Sequence, residues 1–137
     1  MKIPEGVVAL IEEEQAKQLG KFIPTGIDYL KKIGDRAELL VHQLNGQVLG
    51  FVFFYCNAQD KDISYITLIA TAESSRGKGI ATSLVRYVLN LARGRGFSRC
   101  ALEVMKSNVA ALSLYKKIGF YLQEDRGGKI LMSIDLH

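Results

Sequence analysis

The spacing of apolar residues predicts two helices at the start of the chain. The first begins at Pro4, which suits a first helical turn, and stops at Gly20. The second begins in residues 25–28, which have the form of a capping box, and ends at Gly34. Apolar side chains recur at helical spacing in both segments: Val7, Val8, Ile11 and Leu19 in the first, and Ile27, Leu30 and Ile33 in the second.

Alternating and unbroken apolar runs predict six β-strands. Residues 38–44 and 47–57 flank Asn45-Gly46, the dipeptide most typical of a two-residue hairpin turn. The run 51–55 is apolar on both faces, which predicts a central strand covered by helices. The remaining strands are 63–70, 99–104, 120–123 and 130–136. In 99–104 the side chains alternate, with Cys100, Leu102 and Val104 on one face and Arg99, Ala101 and Glu103 on the other.

Two further helices are predicted between these strands. One starts near Ile80 and ends by Gly96, and the other is capped by Ser107 or Asn108 and ends at Gly119. Their apolar faces are Ile80, Leu84, Tyr87, Val88 and Leu91 in the first, and Ala111, Leu112 and Tyr115 in the second. This order of elements predicts an α/β domain, a mixed sheet flanked by helices, and the 137 residues suit one domain.

The charge of the chain is unevenly distributed. Residues 1–70 hold seven Lys/Arg and nine Asp/Glu, whereas residues 71–137 hold eleven and five, which gives balances of −2 and +6. A basic second half suits a polyanionic ligand, although a solvated basic face has the same composition. Nucleic acid is not expected as the partner, because no basic helix or aromatic base-stacking strand stands out.

Several other classes of protein are not expected from the composition. The hydrophobic content of 48% is that of a globular protein, and no apolar run approaches the ~20 residues that span a bilayer. No secretory signal is visible, so a cytoplasmic location is expected. Cys56 and Cys100 fall in apolar strands, as buried thiols of a reducing compartment do, and the two histidines, His42 and His137, are too few for a zinc cluster.

Residues 76–81, Arg-Gly-Lys-Gly-Ile-Ala, hold the main candidate for chemistry. They follow an apolar strand and open a helix, and a helix N-terminus presents unpaired backbone N–H groups and a partial positive charge. Glycines let a phosphate approach the backbone closely, so the segment predicts an anion site, although a tight connection has the same pattern. The dinucleotide fingerprint is excluded because Thr82 stands where it needs a third glycine, and the Walker pattern is absent.

Together with the sequence downstream, this segment resembles the GNAT superfamily of acyl-CoA-dependent N-acetyltransferases. Arg76-x-x-Gly79-x-Ala81 matches the pyrophosphate-loop pattern Gln/Arg-x-x-Gly-x-Gly/Ala of that superfamily. Residues 102–120 match its usual ending, a strand, an Asn, a helix containing Tyr-Lys-Lys, and Gly-Phe. The stretch 102–111, Leu-Glu-Val-x-x-Ser-Asn-x-x-Ala, looks nearest to the ribosomal-protein N-terminal acetyltransferase branch. The resemblance covers residues 37–137.

The resemblance implies a fold, a co-substrate and an assembly. The fold is a mixed, mostly antiparallel six-stranded sheet flanked by helices, with the superfamily's usual first strand missing from this chain. The co-substrate is acetyl-CoA, no metal is required, and the acceptor is a protein N-terminus, an amino sugar or a small amine. The sheet edge at residues 38–44 would then be exposed, and such an edge invites a homodimer, which light scattering tests.

The resemblance also assigns roles to individual residues. Tyr115 is similar to the tyrosine that protonates the leaving thiolate, and Glu103 is the candidate base, with water as the alternative base or a pairing role for Glu103. A main-chain N–H near residues 69–71 would stabilise the oxyanion, and Lys78, Lys116 and Lys117 can meet outlying phosphates. The residues implied in coenzyme binding are Ile69, Ala70, Thr71, Arg76, Gly77, Lys78, Gly79, Ile80, Ala81, Thr82, Asn108 and Lys117. A non-catalytic acyl-CoA-binding sensor or interaction subunit is the alternative function.

Overall fold

The computed structural model describes residues 2–18, 22–23 and 27–137. In chain order its helices and strands are α1 (Glu5–Lys17), α2 (Ile27–Arg36), β1 (Glu38–Leu44), β2 (Gln47–Tyr55), β3 (Ile63–Thr71), α3 (Ile80–Gly94), β4 (Arg99–Met105), α4 (Val109–Ile118), β5 (Tyr121–Asp125) and β6 (Lys129–Asp135). A short 3-10 turn, Glu73–Ser75, follows β3 and was not indicated by the sequence pattern.

The six described strands form one sheet in the order β1-β2-β3-β4-β6-β5. β3 and β4 are parallel, in a register that runs from Ile63 opposite Arg99 to Ile66 opposite Leu102. β4 pairs with β6, and β6 with β5, in antiparallel registers. The predicted α/β class with a mixed, mostly antiparallel six-stranded sheet is therefore confirmed, and β1 lies at one edge as expected. The homodimer stays a prediction.

The described residues divide into two compact units. The first comprises the described residues of Met1–Phe53 and Leu68–Leu84, and the second comprises Phe54–Thr67 and Val85–His137. β2, β3 and α3 each run from one unit into the other. The single domain expected over residues 1–137 stays a prediction.

The core of the first unit is built from α1, α2 and β2. Of the predicted run 51–55, residues 51–54 are buried and Tyr55 is half-buried, which confirms a strand covered on both faces; residues 51–53 belong to this unit. The rings of Phe51 and Phe53 meet edge to face with centroids 5.7 Å apart. The buried apolar side chains of the two helices are Val7, Leu10, Ile11 and Ile33.

The core of the second unit is built from α3, β4 and β6. On β4 the predicted alternation is confirmed, because Cys100, Leu102 and Val104 are all buried. Ala101 on the opposite face is buried as well, so β4 is partly covered on both sides. The other buried side chains of this core include Val85, Val88, Leu89, Ala92, Met132 and Leu136.

The hairpin turn agrees with its prediction, whereas two helix predictions were wrong. Asn45 and Gly46 have φ angles of +50° and +79°, the positive pair that a type I′ turn requires. α2 does not stop at Gly34 but continues to Arg36, because glycine inside a helix costs only about 1 kcal/mol. On α3, Tyr87 is 55% exposed, since the buried face also includes Val85, Leu89 and Ala92 and is centred further round the helix.

Some predictions concern positions that lie outside the described residues. Leu19 and Gly20, expected to end α1, are two of these positions, and Thr25 and Gly26 of the expected capping box are two others. Within α1 the buried face also includes Leu10 and Glu14, which the predicted apolar stripe omitted.

Candidate active site

The glycine turn of residues 76–79 precedes α3, and each of its four residues is exposed. Gly77 and Gly79 have φ angles of +80° and +76°, which glycine adopts without the steric cost borne by other residues. A Cβ on either glycine would meet no protein atom within 4 Å, so the space beside the turn is open. The predicted order of strand, glycine turn and helix is present, with the 3-10 turn inserted before it.

The start of α3 offers unpaired N–H groups. The N–H of Ser83 donates to the carbonyl of Gly79 at 3.0 Å. The amides of Ile80, Ala81 and Thr82 precede this bond and have no acceptor inside the helix. Together with the positive end of the helix dipole and the open space at the glycines, they form a cradle that fits a phosphate group.

The end of β3 lies in the same unit as the glycine turn. Ile69, Ala70 and Thr71 are the last three residues of the strand, and each is half-buried. Just beyond them, the N–H of Ala72 donates to the carbonyl of Leu49 on β2 at 2.8 Å. This bond to β2 holds the strand end in place ahead of the 3-10 turn and the glycine turn.

The side chain of Arg76 is bound to α1. One of its Nη groups donates to Oε1 of Glu14, a buried residue of α1. A second ion pair between the same segments joins Lys17 Nζ to Glu73 at 3.1 Å. The hydrogen bond and charge of Lys17, with the charge of Arg76, hold the pKa of the Glu73 carboxyl below its usual range.

Tyr115 lies on α4 and is 6% exposed. Its ring meets the ring of Phe120 edge to face, with centroids 5.8 Å apart. Burial raises the pKa of Tyr115 to about 12, because the charged tyrosinate would lose its hydration. The phenol is therefore fully protonated at neutral pH, as a proton donor must be.

Raising the pH above about 9 should destabilise the fold, because two buried acids hold their protons more tightly when folded. Burial raises the pKa of Tyr115 from 10.0 to about 12 and that of Cys100 from 9.0 to about 11. As the pH rises, the unfolded chain loses each proton first. The stability that each group contributes is therefore complete below its pKa in the unfolded chain, and it is lost as the pH rises through its pKa in the folded protein. Each shift of two units corresponds to about 3 kcal/mol of unfolding free energy.

Urea unfolding at about pH 8 and about pH 11 measures this fall in stability. Tyr115→Phe should remove roughly the phenol's share of the pH dependence. Tyr87→Phe, which changes an exposed tyrosine of α3, should leave the pH dependence unchanged. An unaltered pH dependence in Tyr115→Phe would contradict the prediction.

The ends of α4 carry the other residues expected near the coenzyme. Asn108 caps the helix, since its Oδ1 accepts the N–H of Ala111 at 3.1 Å. Of the two predicted caps, Ser107 and Asn108, the structure therefore has Asn108. This cap uses the side-chain oxygen of Asn108. Lys116 and Lys117 are exposed in the last turn.

Glu103 lies on β4 between two basic side chains. Its carboxylate accepts from Arg126 Nη1 at 3.1 Å and lies 3.4 Å from Lys129 Nζ. Arg126 also donates to Glu124 at 2.9 Å, and both carboxylates hold the pKa of Arg126 above its usual value. Although Leu102 and Val104 are buried, the surroundings of the Glu103 carboxylate are charged, because those neighbours project to the opposite face of the strand.

The sequence-predicted residues fall into two groups. The end of β3 and the whole of residues 76–82 belong to the first unit, and Glu103, Asn108, Tyr115 and Lys117 belong to the second. Sequence reasoning missed Glu14, which pairs with Arg76, and Arg126 and Lys129, which pair with Glu103. The one available signal was a glutamate on the apolar side of α1, seven residues after Val7.

No three His, Cys, Asp or Glu side chains within residues 2–18, 22–23 and 27–137 are grouped as metal ligands. Across the same ranges, no helix combines the length and apolar character that crossing a membrane takes.

A family model described as the acetyltransferase (GNAT) family matches residues 8–120 of the chain. The match includes the glycine turn, Glu103 and Tyr115. The chain belongs to the GNAT family. The resemblance found in residues 37–137 is therefore confirmed, and the family match extends into α1.

A curated relative agrees with this family membership. An uncharacterised N-acetyltransferase of Methanocaldococcus jannaschii is 31% identical over 102 residues, which are 70% of this chain and 45% of that protein. The chain spans less than half the length of the first curated relatives it matches.

Two solved structures share the fold. The ribosomal-protein-S18-alanine N-acetyltransferase of Escherichia coli has a TM-score of 0.78 at 20% identity, over 99% of this chain and 90% of that one. A GNAT family acetyltransferase of Elizabethkingia anophelis, solved with acetyl-CoA bound, has a TM-score of 0.72 at 20% identity, over 82% and 85% of the two chains. At these identities the likeness concerns the fold alone.

Proposed function

We propose that this GNAT family member is an acetyl-CoA-dependent N-acetyltransferase that acts on a primary amine. The observation that carries the proposal is the exposed glycine turn at the start of α3, with its two positive φ angles and the open space at both Cβ positions. Because Gly77 and Gly79 carry no side chains, a diphosphate has room to approach the N–H groups of the helix start. The acetyl-CoA bound to the related Elizabethkingia protein supports the choice of ligand.

The coenzyme would be held mainly by the backbone. The amides of residues 77–82 would bind its diphosphate, and the end of β3 at residues 69–71 would hydrogen-bond the amides of its pantetheine arm. Because these contacts use main-chain groups, the side chain of Thr71 should matter little to them. Lys78, Lys116 and Lys117 are exposed and available to outlying phosphates, and Asn108 keeps its side-chain NH2 for the coenzyme.

Tyr115 would act as the general acid. When bound, acetyl-CoA supplies a thioester whose carbonyl carbon a neutral amine attacks. As the carbon–nitrogen bond forms and the carbon–sulfur bond breaks, the Tyr115 hydroxyl gives its proton to the departing sulfur and is reprotonated from water. A main-chain N–H near residues 69–71 would stabilise the oxyanion. In water the pKa values of a phenol and a thiol differ by only ~1.5 units. A thiolate that departs beside the buried Tyr115 would also lose hydration, which favours its protonation.

Water, and not Glu103, would take the proton of the amine. Both oxygens of the Glu103 carboxylate already have a cationic partner, Arg126 at Oε2 and Lys129 at Oε1. We therefore assign Glu103 the task of fixing the β5–β6 turn through these cations. Both Arg126 and Lys129 lie at or beside that turn.

Glu103→Gln should therefore change turnover only a few-fold and leave the shape of the pH–rate profile unchanged. The amide keeps an oxygen that can accept from Arg126. Steady-state kinetics with acetyl-CoA between about pH 6 and about pH 9 provide the measurement. Loss of a hundredfold or more, together with loss of the acidic limb, would make Glu103 the base.

The acceptor class is tested by an amine panel. Peptides with free N-termini, amino sugars and small amines are each incubated with acetyl-CoA while thiol release is followed. Thiol release that requires one of these classes of amine identifies the acceptor and supports the proposed N-acetyltransferase activity. Binding of acetyl-CoA without thiol release from any acceptor would favour the alternative, a non-catalytic acyl-CoA sensor.

A further inference from the structure

We propose that Glu14 is a positioning residue for the glycine turn, and that Arg76 acts through Glu14 instead of contacting the coenzyme phosphates. This inference rests on the proposed function, because it assigns the coenzyme site a support on α1. The paired side chains lie 62 residues apart in the sequence and in the same unit.

The backbone of the glycine turn has little support of its own. Within residues 2–18, 22–23 and 27–137, the amides of Gly77, Lys78 and Gly79 donate to no main-chain carbonyl. The two glycines have more backbone freedom than other residues, so an unsupported turn would sample many conformations. A side-chain contact just before the turn is therefore well placed to restrict it.

The Glu14 side chain is fixed by its position on the buried face of α1 and by its hydrogen bonds. It follows Val7, Leu10 and Ile11 on the buried face of the helix, and 12% of its side chain is exposed. Its second oxygen accepts from Gln18 Nε2 at 3.0 Å, so both carboxylate oxygens are bound. Burying a carboxylate costs free energy unless it is paired, and an apolar residue would fill this place more cheaply. The ion pair with Arg76 offsets the cost of burying the Glu14 carboxylate at this position.

A second contact closes the same junction. Lys17, one turn further along α1, lies 3.1 Å from Glu73 in the 3-10 turn and 4.0 Å from Glu14. The segment of residues 73–76 is thus held to α1 at both of its ends. Because one of its Nη groups is held by Glu14, we assign the Arg76 guanidinium to this contact and the phosphates to the main-chain amides of the turn.

A double-mutant cycle on Glu14 and Arg76 tests the proposal. Glu14→Gln and Arg76→Gln should each weaken acetyl-CoA binding about tenfold by calorimetry, and the double variant should lose no more than either alone. Turnover at saturating acetyl-CoA should change far less than the affinity. Glu13→Gln removes the same charge from an exposed neighbouring position and should not weaken binding.

Amide hydrogen exchange in the absence of coenzyme provides a second measurement. In Arg76→Gln, whose changed side chain is half-exposed, the amides of residues 77–82 should exchange about tenfold faster than in the unaltered protein. If Arg76 contacted the phosphates directly, its replacement would leave these exchange rates unchanged. Glu14→Gln would then bind acetyl-CoA at least as tightly as the unaltered protein does. Either result would overturn the proposal.

The two proposals fail in different ways. If the unaltered protein binds no acetyl-CoA, the proposed function is wrong, and the role of Glu14 in affinity is wrong with it. If the unaltered protein binds acetyl-CoA but the single losses add in the double variant, the positioning role alone is wrong.

Discussion

Tyr115→Phe should lower turnover by a factor of about 10² to 10⁴, the range that a general acid contributes. Phenylalanine keeps the ring and its edge contact with Phe120, so the variant should fold, while the donated proton is lost. The affinity for acetyl-CoA should stay within about threefold, because the phenol is assigned no contact with the diphosphate. Initial rates of thiol release at saturating acetyl-CoA provide the measurement.

The control for this variant is Tyr87→Phe, the same chemical change at an exposed position on α3. It should leave turnover unchanged. Equal rates for Tyr115→Phe and the unaltered protein would remove Tyr115 from the mechanism. The glycine turn and the coenzyme assignment would stand in that case, because they rest on other residues.

Gly79→Ala should raise the dissociation constant of acetyl-CoA by at least about tenfold, because the added Cβ occupies the open space of the cradle. The positive φ of Gly79 also makes alanine strained there, by about 1–2 kcal/mol. Calorimetric titration measures the affinity, and thermal unfolding measures the strain separately.

Gly94→Ala is the matched control at the other end of α3. A Cβ there meets no atom within 4 Å and the residue is helical, so alanine should stabilise the helix by up to about 1 kcal/mol and leave binding unchanged. If Gly79→Ala bound acetyl-CoA with unaltered affinity, the diphosphate would not lie against this turn.

Features that depend on neighbouring residues could be predicted from the sequence. The Asn45-Gly46 turn, the alternation along β4 and the Asn108 cap follow from backbone sterics and local hydrogen bonds, and the structure contains all three. The glycine turn before α3 is local in the same sense. Its assignment to coenzyme binding also required the match of residues 102–120, because a glycine-containing connection alone is common.

Features that depend on distant residues could not be predicted. The partner of Arg76 comes from α1, and the cations around Glu103 come from the β5–β6 turn, so no local pattern links them. The side of α3 that is buried depends on what packs against it, which is why Tyr87 was misplaced. The helix stop at Gly34 was wrong for a related reason, since glycine permits a helix end without requiring one.

The irregular strand β5 has a consequence for behaviour at high concentration. Its register with β6 shifts between Leu122 and Glu124, and its five residues are all exposed at the edge of the sheet. A bulge and the adjacent acidic pair Glu124-Asp125 make a poor template for strand addition from another molecule. These features oppose fibrous aggregation through the β5 edge, even though the hydrophobic side chains of Tyr121 and Leu122 are exposed there.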